Sequence, residues 1–230
     1  MIAPLNICVL IPSYNEAKSI GKLVEKIKAQ KLDVLVVDDG SADNTSEIAQ
    51  KRGAYVIRHA QNKGKGASLK DGFEYALKNG YDAVITMDGD GQHSPDDIPH
   101  FINMAHEQSV DIIVGNRMFS TKNMPPLRWL TNKTMSCFLS AICRTSMPDS
   151  QCGFRLIKKE VFKNINPTSN NYEIETETLV EAHQKGFKIK FVPIQTIYSK
   201  QTSNINPFID TIRFFRYLLK IFCPFLFRKR

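Results

Sequence analysis

Five short runs rich in valine and isoleucine, Ile7–Ile11, Val34–Val37, Tyr55–Ile57, Ala83–Met87 and Asp111–Val114, are separated by amphipathic stretches. That alternation predicts strands joined by helical crossovers. Strands apolar on both faces suit a sheet covered by helices, so the expected fold is α/β with a mostly parallel central sheet flanked by helices. Ligands of such sheets bind beyond the C-terminal ends of the strands. Polar clusters stand at those ends: Ser13-Tyr14-Asn15-Glu16 after the first run, Asp38-Asp39-Gly40-Ser41 after the second, and Asp88-Gly89-Asp90-Gly91-Gln92-His93 after the fourth. One ligand can touch all three. After about residue 115 the pattern weakens to a turn at Pro125-Pro126, a helix over Leu127–Cys143 and a helix over Glu173–Lys185. Residues 1–206 read as one domain without internal repeats, and residues 207–230 as a separate tail.

A chain of 230 residues can bury a full core without staples. Its 42% hydrophobic and 23% charged residues exclude disorder, and a mean hydropathy of −0.26 excludes a polytopic membrane protein. The net charge of +8 and pI near 9.2 point to anionic partners. Nucleic acid is the competing partner class, but no nucleic-acid-binding motif accompanies the charge, and none is expected to bind. Five scattered cysteines without CxxC spacing argue against zinc and against a disulfide framework, which fits a reducing cytoplasm. No signal peptide precedes Ile7–Ile11, and no stretch supplies the roughly 20 apolar residues of a transmembrane helix.

Asp88-Gly89-Asp90 places two carboxylates on a glycine-containing turn, a pattern able to hold a hard divalent cation while leaving positions open for phosphates. The same residues also suit an Asx-Gly turn ahead of a helix starting near Ser94-Pro95. Asp38-Asp39 has two readings as well. Ser41 or Asp43 can cap a helix beginning near Thr45, and a carboxylate at a strand's end can accept hydrogen bonds from a ribose or base. Asn62-Lys63-Gly64-Lys65-Gly66 lacks the Walker A spacing, yet its flexible backbone and lysines can face a diphosphate.

In order, Ile11-Pro12-Ser13-Tyr14-Asn15-Glu16, Val36-Val37-Asp38-Asp39-Gly40-Ser41, Asn62-Lys63-Gly64-Lys65-Gly66 and Met87-Asp88-Gly89-Asp90-Gly91-Gln92-His93 resemble family 2 glycosyltransferases. Gly115-Asn116-Arg117, Asp149-Ser150-Gln151, Cys152-Gly153-Phe154-Arg155 and Ser203-Asn204-Ile205 narrow the resemblance to the dolichyl-phosphate mannosyltransferase-like branch, the polyprenyl-phosphate glycosyltransferases. The resemblance implies a GT-A fold and inverting transfer of a sugar from a UDP- or GDP-sugar to a polyprenyl phosphate, assisted by Mg²⁺ or Mn²⁺. It further implies that Pro12, Tyr14, Glu16, Val37 and Asp39 contact the nucleotide. Asp88, Asp90 and Gln92 would bind the metal and diphosphate, with Lys65 and Gly89 beside them. Arg117, Arg128, Lys133 and Lys200 would handle acceptor phosphate or donor diphosphate. Where many relatives carry a second basic residue near Ser203-Asn204-Ile205, this chain has Asn204. An acceptor of the saccharide class is the nearest alternative.

Several residues keep two readings. His93 is a catalytic base or a residue that stabilises the turn behind the metal. Glu173, Glu175 and Glu177 compensate the dipole at a helix start, or Glu177 lies on the acceptor side, as the resemblance implies. Trp129 forms part of an acceptor-side flap or anchors its helix to the core. In the tail, Arg213, Arg216 and Lys220 share one helical face while Ile209, Ile212, Phe215, Leu219 and Phe222 share another. Such a helix lies in a membrane interface or packs on the core. Many relatives continue into transmembrane helices, so attachment of this chain to a cytoplasmic membrane face is expected through the tail or a partner.

Overall fold

The computed structural model describes residues 5–107, 109–119, 121 and 124–197. Lys200, Ser203-Asn204-Ile205 and the tail over 207–230 lie outside the described residues. Within them the chain runs β1 (Ile7–Ser13), α1 (Ile20–Lys28), β2 (Asp33–Asp38), α2 (Thr45–Lys51), β3 (Tyr55–Arg58), α3 (Lys65–Lys78) and β4 (Ala83–Thr86). Then follow α4 (Ile98–Glu107), β5 (Ile112–Asn116), α5 (Pro126–Cys143), β6 (Arg155–Lys158), α6 (Lys159–Asn164), α7 (Glu173–Gln184) and β7 (Ile189–Pro193). One sheet has the strand order β3-β2-β1-β4-β6-β5-β7. β6 runs antiparallel to β4 and β5, and the other pairs are parallel. The expectation of a mostly parallel sheet with helices on its faces therefore holds.

The five runs read from sequence are the first five strands. β1, β2 and β4 sit in the interior of the sheet, and Val9, Leu10, Ile11, Val34–Val37 and Ala83–Ile85 are wholly buried. α1 shows why its segment is helical. Ile20, Leu23, Val24 and Ile27 recur at helical spacing and are buried, while lysines in its last turn complement the dipole. Each such side chain taken out of water stabilises the fold by about 1.5–3 kcal/mol. The core continues past the middle strand, where Phe101 of α4 stacks on Phe154 with ring centroids 4.3 Å apart. No helix among the described residues is long and apolar enough to cross a membrane.

β6 and β7 are absent from the sequence reading. β6 is a four-residue strand with a basic residue at each end, and β7 is an edge strand carrying exposed Lys190. Neither presents the apolar run that identified the others.

Candidate active site

The C-terminal ends of β1 and β2 are fastened together by their own loops. The backbone N–H of Asn15 donates to Ser41 Oγ at 2.9 Å, and that of Ala42 donates to Asn15 Oδ1 at 2.9 Å. Asp38 is fully buried and accepts from the Ser41 N–H at 2.9 Å and from the Ser46 hydroxyl. At the start of α2 the cap position belongs to Asn44, whose side chain makes no cap bond, while Asp43 accepts the Thr45 N–H at 3.0 Å. Asp39 turns inward: its oxygens accept the backbone N–H groups of Lys63 and Gly64, each at 2.8 Å, and lie 2.6 Å from His59 Nδ1. His59 is held from the other side by Asp71, 2.8 Å from Nε2. Asp39 thus shapes the loop that delivers Lys65. Gly64 adopts φ +95°, and a Cβ there would meet Asn170 O at 2.3 Å, so the loop requires a glycine at this point.

A cavity of about 420 Å³ opens beside these loops, lined by Gly40, Ser41, Arg58, His59 and Ala60. Tyr14 is 41% exposed near the same strand ends. Pro12 pairs in register with Val37, which is wholly buried and offers no side-chain surface to a ligand.

The acidic turn follows β4. Lys65 Nζ bridges Asp88 Oδ1 at 2.5 Å and Glu175 Oε1 at 2.6 Å. Burial alone would raise Asp88, but the Lys65 ammonium holds its carboxyl well below the usual range. The opposite balance raises Lys65, because Asp88 and Glu175 outweigh its desolvation. Burial, then the charge of Asp88, raises Asp90. Glu16 is raised too, by burial first and in part by Asp90, Asp43 and Asp88. One oxygen of Asp90 accepts the Gln92 N–H at 2.9 Å. Gln92 Oε1 in turn accepts from Arg128 Nη1 at 3.1 Å, which brings α5 to the turn.

The loop that leads into β6 closes the floor. Thr86 Oγ1 donates to Gly153 O at 2.7 Å, and a Cβ at Gly153 would sit 2.8 Å from Glu175 Oε1 and 3.0 Å from both Asp88 oxygens. Only a glycine lets the three groups meet. Arg155, 2% exposed, donates to the carbonyls of Cys152, Glu175 and Ser150 at 2.7, 2.7 and 2.9 Å. It ties this loop to α7.

Residues 8–165 match the family described as Glycosyl transferase family 2. The chain belongs to this family. Over 238 residues this glycosyltransferase is 32% identical to the UDP-N-acetylglucosamine--dolichyl-phosphate N-acetylglucosaminyltransferase of Methanococcus voltae, covering 93% of this chain and 95% of that protein. It is 28% identical over 200 residues to the polyprenol monophosphomannose synthase of Mycolicibacterium smegmatis, covering 81% and 75% of the two chains. Its fold matches the crystal structure of glucosyl-3-phosphoglycerate synthase from Mycobacterium tuberculosis in complex with Mn²⁺, UDP and phosphoglyceric acid. The TM-score is 0.75 at 18% identity, over 95% of this chain and 78% of that one. The likeness establishes the GT-A fold.

In this glycosyltransferase Asp88, Asp90, Gln92, Gly89, Lys65, Glu16 and Arg128 gather around one turn, whereas other expected site residues are placed differently. Arg117, 4% exposed, donates through Nε and Nη2 to Asp149 at 2.8 Å each. Its fork is committed to that carboxylate, while its charge helps to lower Asp88. Lys133 is exposed on α5, five positions beyond Arg128, so the two point about 140° apart around the helix. His93 is buried and pushed down to about 4 by burial, against the opposing pull of Asp88. Its Nδ1 accepts the Asp88 N–H at 3.4 Å, the stabilising arrangement rather than that of a base. Glu177 is engaged by the preceding loop: it accepts from Thr168 N and Oγ1 and from Ser169 N at 2.8–3.0 Å. Trp129 is 42% exposed and does not anchor α5 in the core.

Sequence reasoning missed Glu175 as the partner of Lys65, Asp149 as the partner of Arg117, and the stapling role of Arg155. The Asp149 and Cys152–Arg155 motifs were visible, but no local signal shows where their polar groups end.

Among the described residues no group of three or more His, Cys, Asp or Glu side chains is arranged to hold a metal ion. The donor set nevertheless fits a hard divalent cation completed by ligand oxygens. Asp90 is a carboxylate crowded by negative charge, one of its oxygens makes no hydrogen bond to a described residue, and Asp88 lies two positions away on the same turn.

Proposed function

We propose that this family 2 glycosyltransferase moves a sugar, with inversion, from a UDP- or GDP-sugar to a polyprenyl phosphate at the cytoplasmic face of a membrane. The observation that carries this reading is the position of Arg128. Its guanidinium reaches the acidic turn through Gln92, while its neighbours Leu127, Trp129 and Leu130 are apolar and exposed. A cation at the reaction centre beside an apolar surface suits a substrate with an anionic head and a hydrocarbon chain. The names of the Methanococcus and Mycolicibacterium relatives support the same substrate class.

The nucleotide would lie across the ends of β1 and β2, against Pro12, Tyr14, Glu16 and the loop shaped by Asp39, with its base toward the cavity lined by Arg58 and His59. Asp88, Asp90 and Gln92 would hold Mg²⁺ or Mn²⁺, which when bound disperses charge on the leaving diphosphate. Lys65 adds a positive charge on the same side. The acceptor needs no strong base, because a phosphomonoester has a second pKa of about 6 and is largely dianionic at neutral pH. The protein's task is to hold two anions in line, which falls to Arg128, with Lys200 as a further cation. Arg117 is held by Asp149 and adds positive charge near Asp88. The amphipathic tail over 207–230 would hold the enzyme at the lipid surface; truncating it should release the protein from anionic liposomes, and unchanged sedimentation would refute that role.

The test is nucleotide release from a panel of UDP- and GDP-sugars, with Mg²⁺ or Mn²⁺, with and without polyprenyl phosphate. Metal-dependent release of one nucleotide, stimulated by the lipid and absent in Asp90→Ala, is expected. Release that ignores the lipid and rises with a saccharide would overturn the acceptor assignment.

A further inference from the structure

We propose that Lys65 is a built-in counter-cation that competes with the divalent metal for Asp88, and that Glu175 holds the ammonium when the metal takes its place. The inference rests on the metal-dependent reading above. Its basis is the three-group bridge: Nζ of Lys65 lies 2.5 Å from Asp88 Oδ1 and 2.6 Å from Glu175 Oε1, with the Lys65, Glu175 and Asp88 side chains 13%, 8% and 30% exposed.

The backbone that carries Lys65 cannot drift. Lys63 and Gly64 donate to Asp39, and Gly66 N donates to Asn170 O at 2.7 Å. Only the four-carbon stem can swing. Tyr172 lies beneath the ammonium, its ring centroid 5.5 Å from Nζ. Asp88 is also confined by the backbone of Gly153, where an added Cβ would lie 3.0 Å from both its oxygens. The carboxylate therefore has two cationic partners within reach: the Lys65 ammonium, or an ion in the turn shared with Asp90. A buried ammonium released with no partner would be strongly disfavoured. Glu175 removes that obstacle, so exchange of one cation for another at Asp88 leaves every charge paired.

Two consequences follow. Without nucleotide the metal must displace an ion pair, so its affinity is low. A diphosphate brings negative charge that offers Lys65 a new partner, so metal and nucleotide bind cooperatively. The two carboxylate partners also predict variants of opposite sign. Lys65→Met removes the competitor and should tighten Mn²⁺ in the absence of nucleotide by about tenfold or more. Glu175→Gln leaves Lys65 to Asp88 alone and should loosen it by a similar factor. Damage to a merely structural ion pair would weaken binding in both.

The experiment is a titration of Mn²⁺ followed by the electron paramagnetic resonance signal of the free ion, with and without UDP or GDP, for wild type, Lys65→Met, Glu175→Gln and Asp90→Ala. Tighter binding to Lys65→Met, looser binding to Glu175→Gln, and a smaller nucleotide effect in Lys65→Met are expected. If wild type binds no more Mn²⁺ than Asp90→Ala even with nucleotide, the metal reading itself fails. If wild type binds through Asp90 but Lys65→Met binds no tighter, the competition is overturned. Should Lys65→Met lose its native circular dichroism, Glu175→Gln decides alone, and unchanged Mn²⁺ affinity there overturns the proposal.

Discussion

The sheet's β1–β4 half and its β5–β7 half hold their site residues by different means. On the first side each polar cluster follows its own strand and is tied within itself or to the next strand-end loop, as when Ser41 N–H donates to Asp38 three positions away and Asn15 N–H to Ser41 Oγ 26 positions away. On the second side the ties are long: Arg117 depends on Asp149, 32 positions on, and Glu175 answers Lys65 across 110 positions. The β1–β4 half of the site is thus held by ties between successive loops, and the β5–β7 half by ties that close only once the whole domain has folded.

The sharpest way to break this comparison is Asp90→Ala, which acts on chemistry alone. Loss of several kcal/mol of leaving-group stabilisation predicts a fall of roughly a thousandfold in kcat/KM, with the thermal transition unchanged. A large stability loss would mean that the turn is structural. Next comes Asp149→Ala, which leaves the Arg117 guanidinium buried without its partner and should destabilise the fold by about 3–5 kcal/mol in urea denaturation. An effect below about 1 kcal/mol would show that the second half does not depend on that distant tie.

Gly153→Ala sharpens the contact between the halves. The added methyl meets Asp88 and Glu175 oxygens, so we expect a destabilisation of about 1–3 kcal/mol together with altered Mn²⁺ binding. Glu177→Gln probes the loop over 168–169 by pH. Burial would raise this carboxyl, but the N–H groups of Thr168 and Ser169 hold it below its ordinary 4.5. Its stabilisation is therefore present above the unfolded value and is lost as pH falls through the lowered folded one. Denaturation midpoints of wild type and variant should differ at neutral pH and converge in acid; a gap that persists in acid would contradict the assignment. The smallest expected effect on stability is that of Trp129→Ala, within about 0.5 kcal/mol for an exposed side chain. Its polyprenyl phosphate KM should rise while the KM for donor stays put.

The same contrast decides what could be read from sequence. Ile7–Ile11 and Val34–Val37 announce their strands because both faces are buried, and the polar clusters behind them mark the site through topology alone. The helix expected from Leu127 begins one residue earlier, at Pro126, because proline's fixed φ and missing N–H suit a first helical turn. β6 was illegible because Arg155 looks like a surface residue until its donors are seen to meet three buried carbonyls. In the site, Asp88 and Asp90 were legible by spacing, and Lys65 by its glycine-flanked loop. Arg117 resembled a phosphate ligand, whereas its burial against Asp149 follows from folding rather than from any neighbouring residue.

The most direct measurement is transfer of radiolabelled sugar from its nucleotide donor into the organic phase with polyprenyl phosphate, comparing wild type with Arg128→Ala. The account predicts a labelled lipid with wild type and a steep loss of transfer in the variant while donor binding persists. Label that never enters the lipid phase, or transfer indifferent to Arg128, would contradict it.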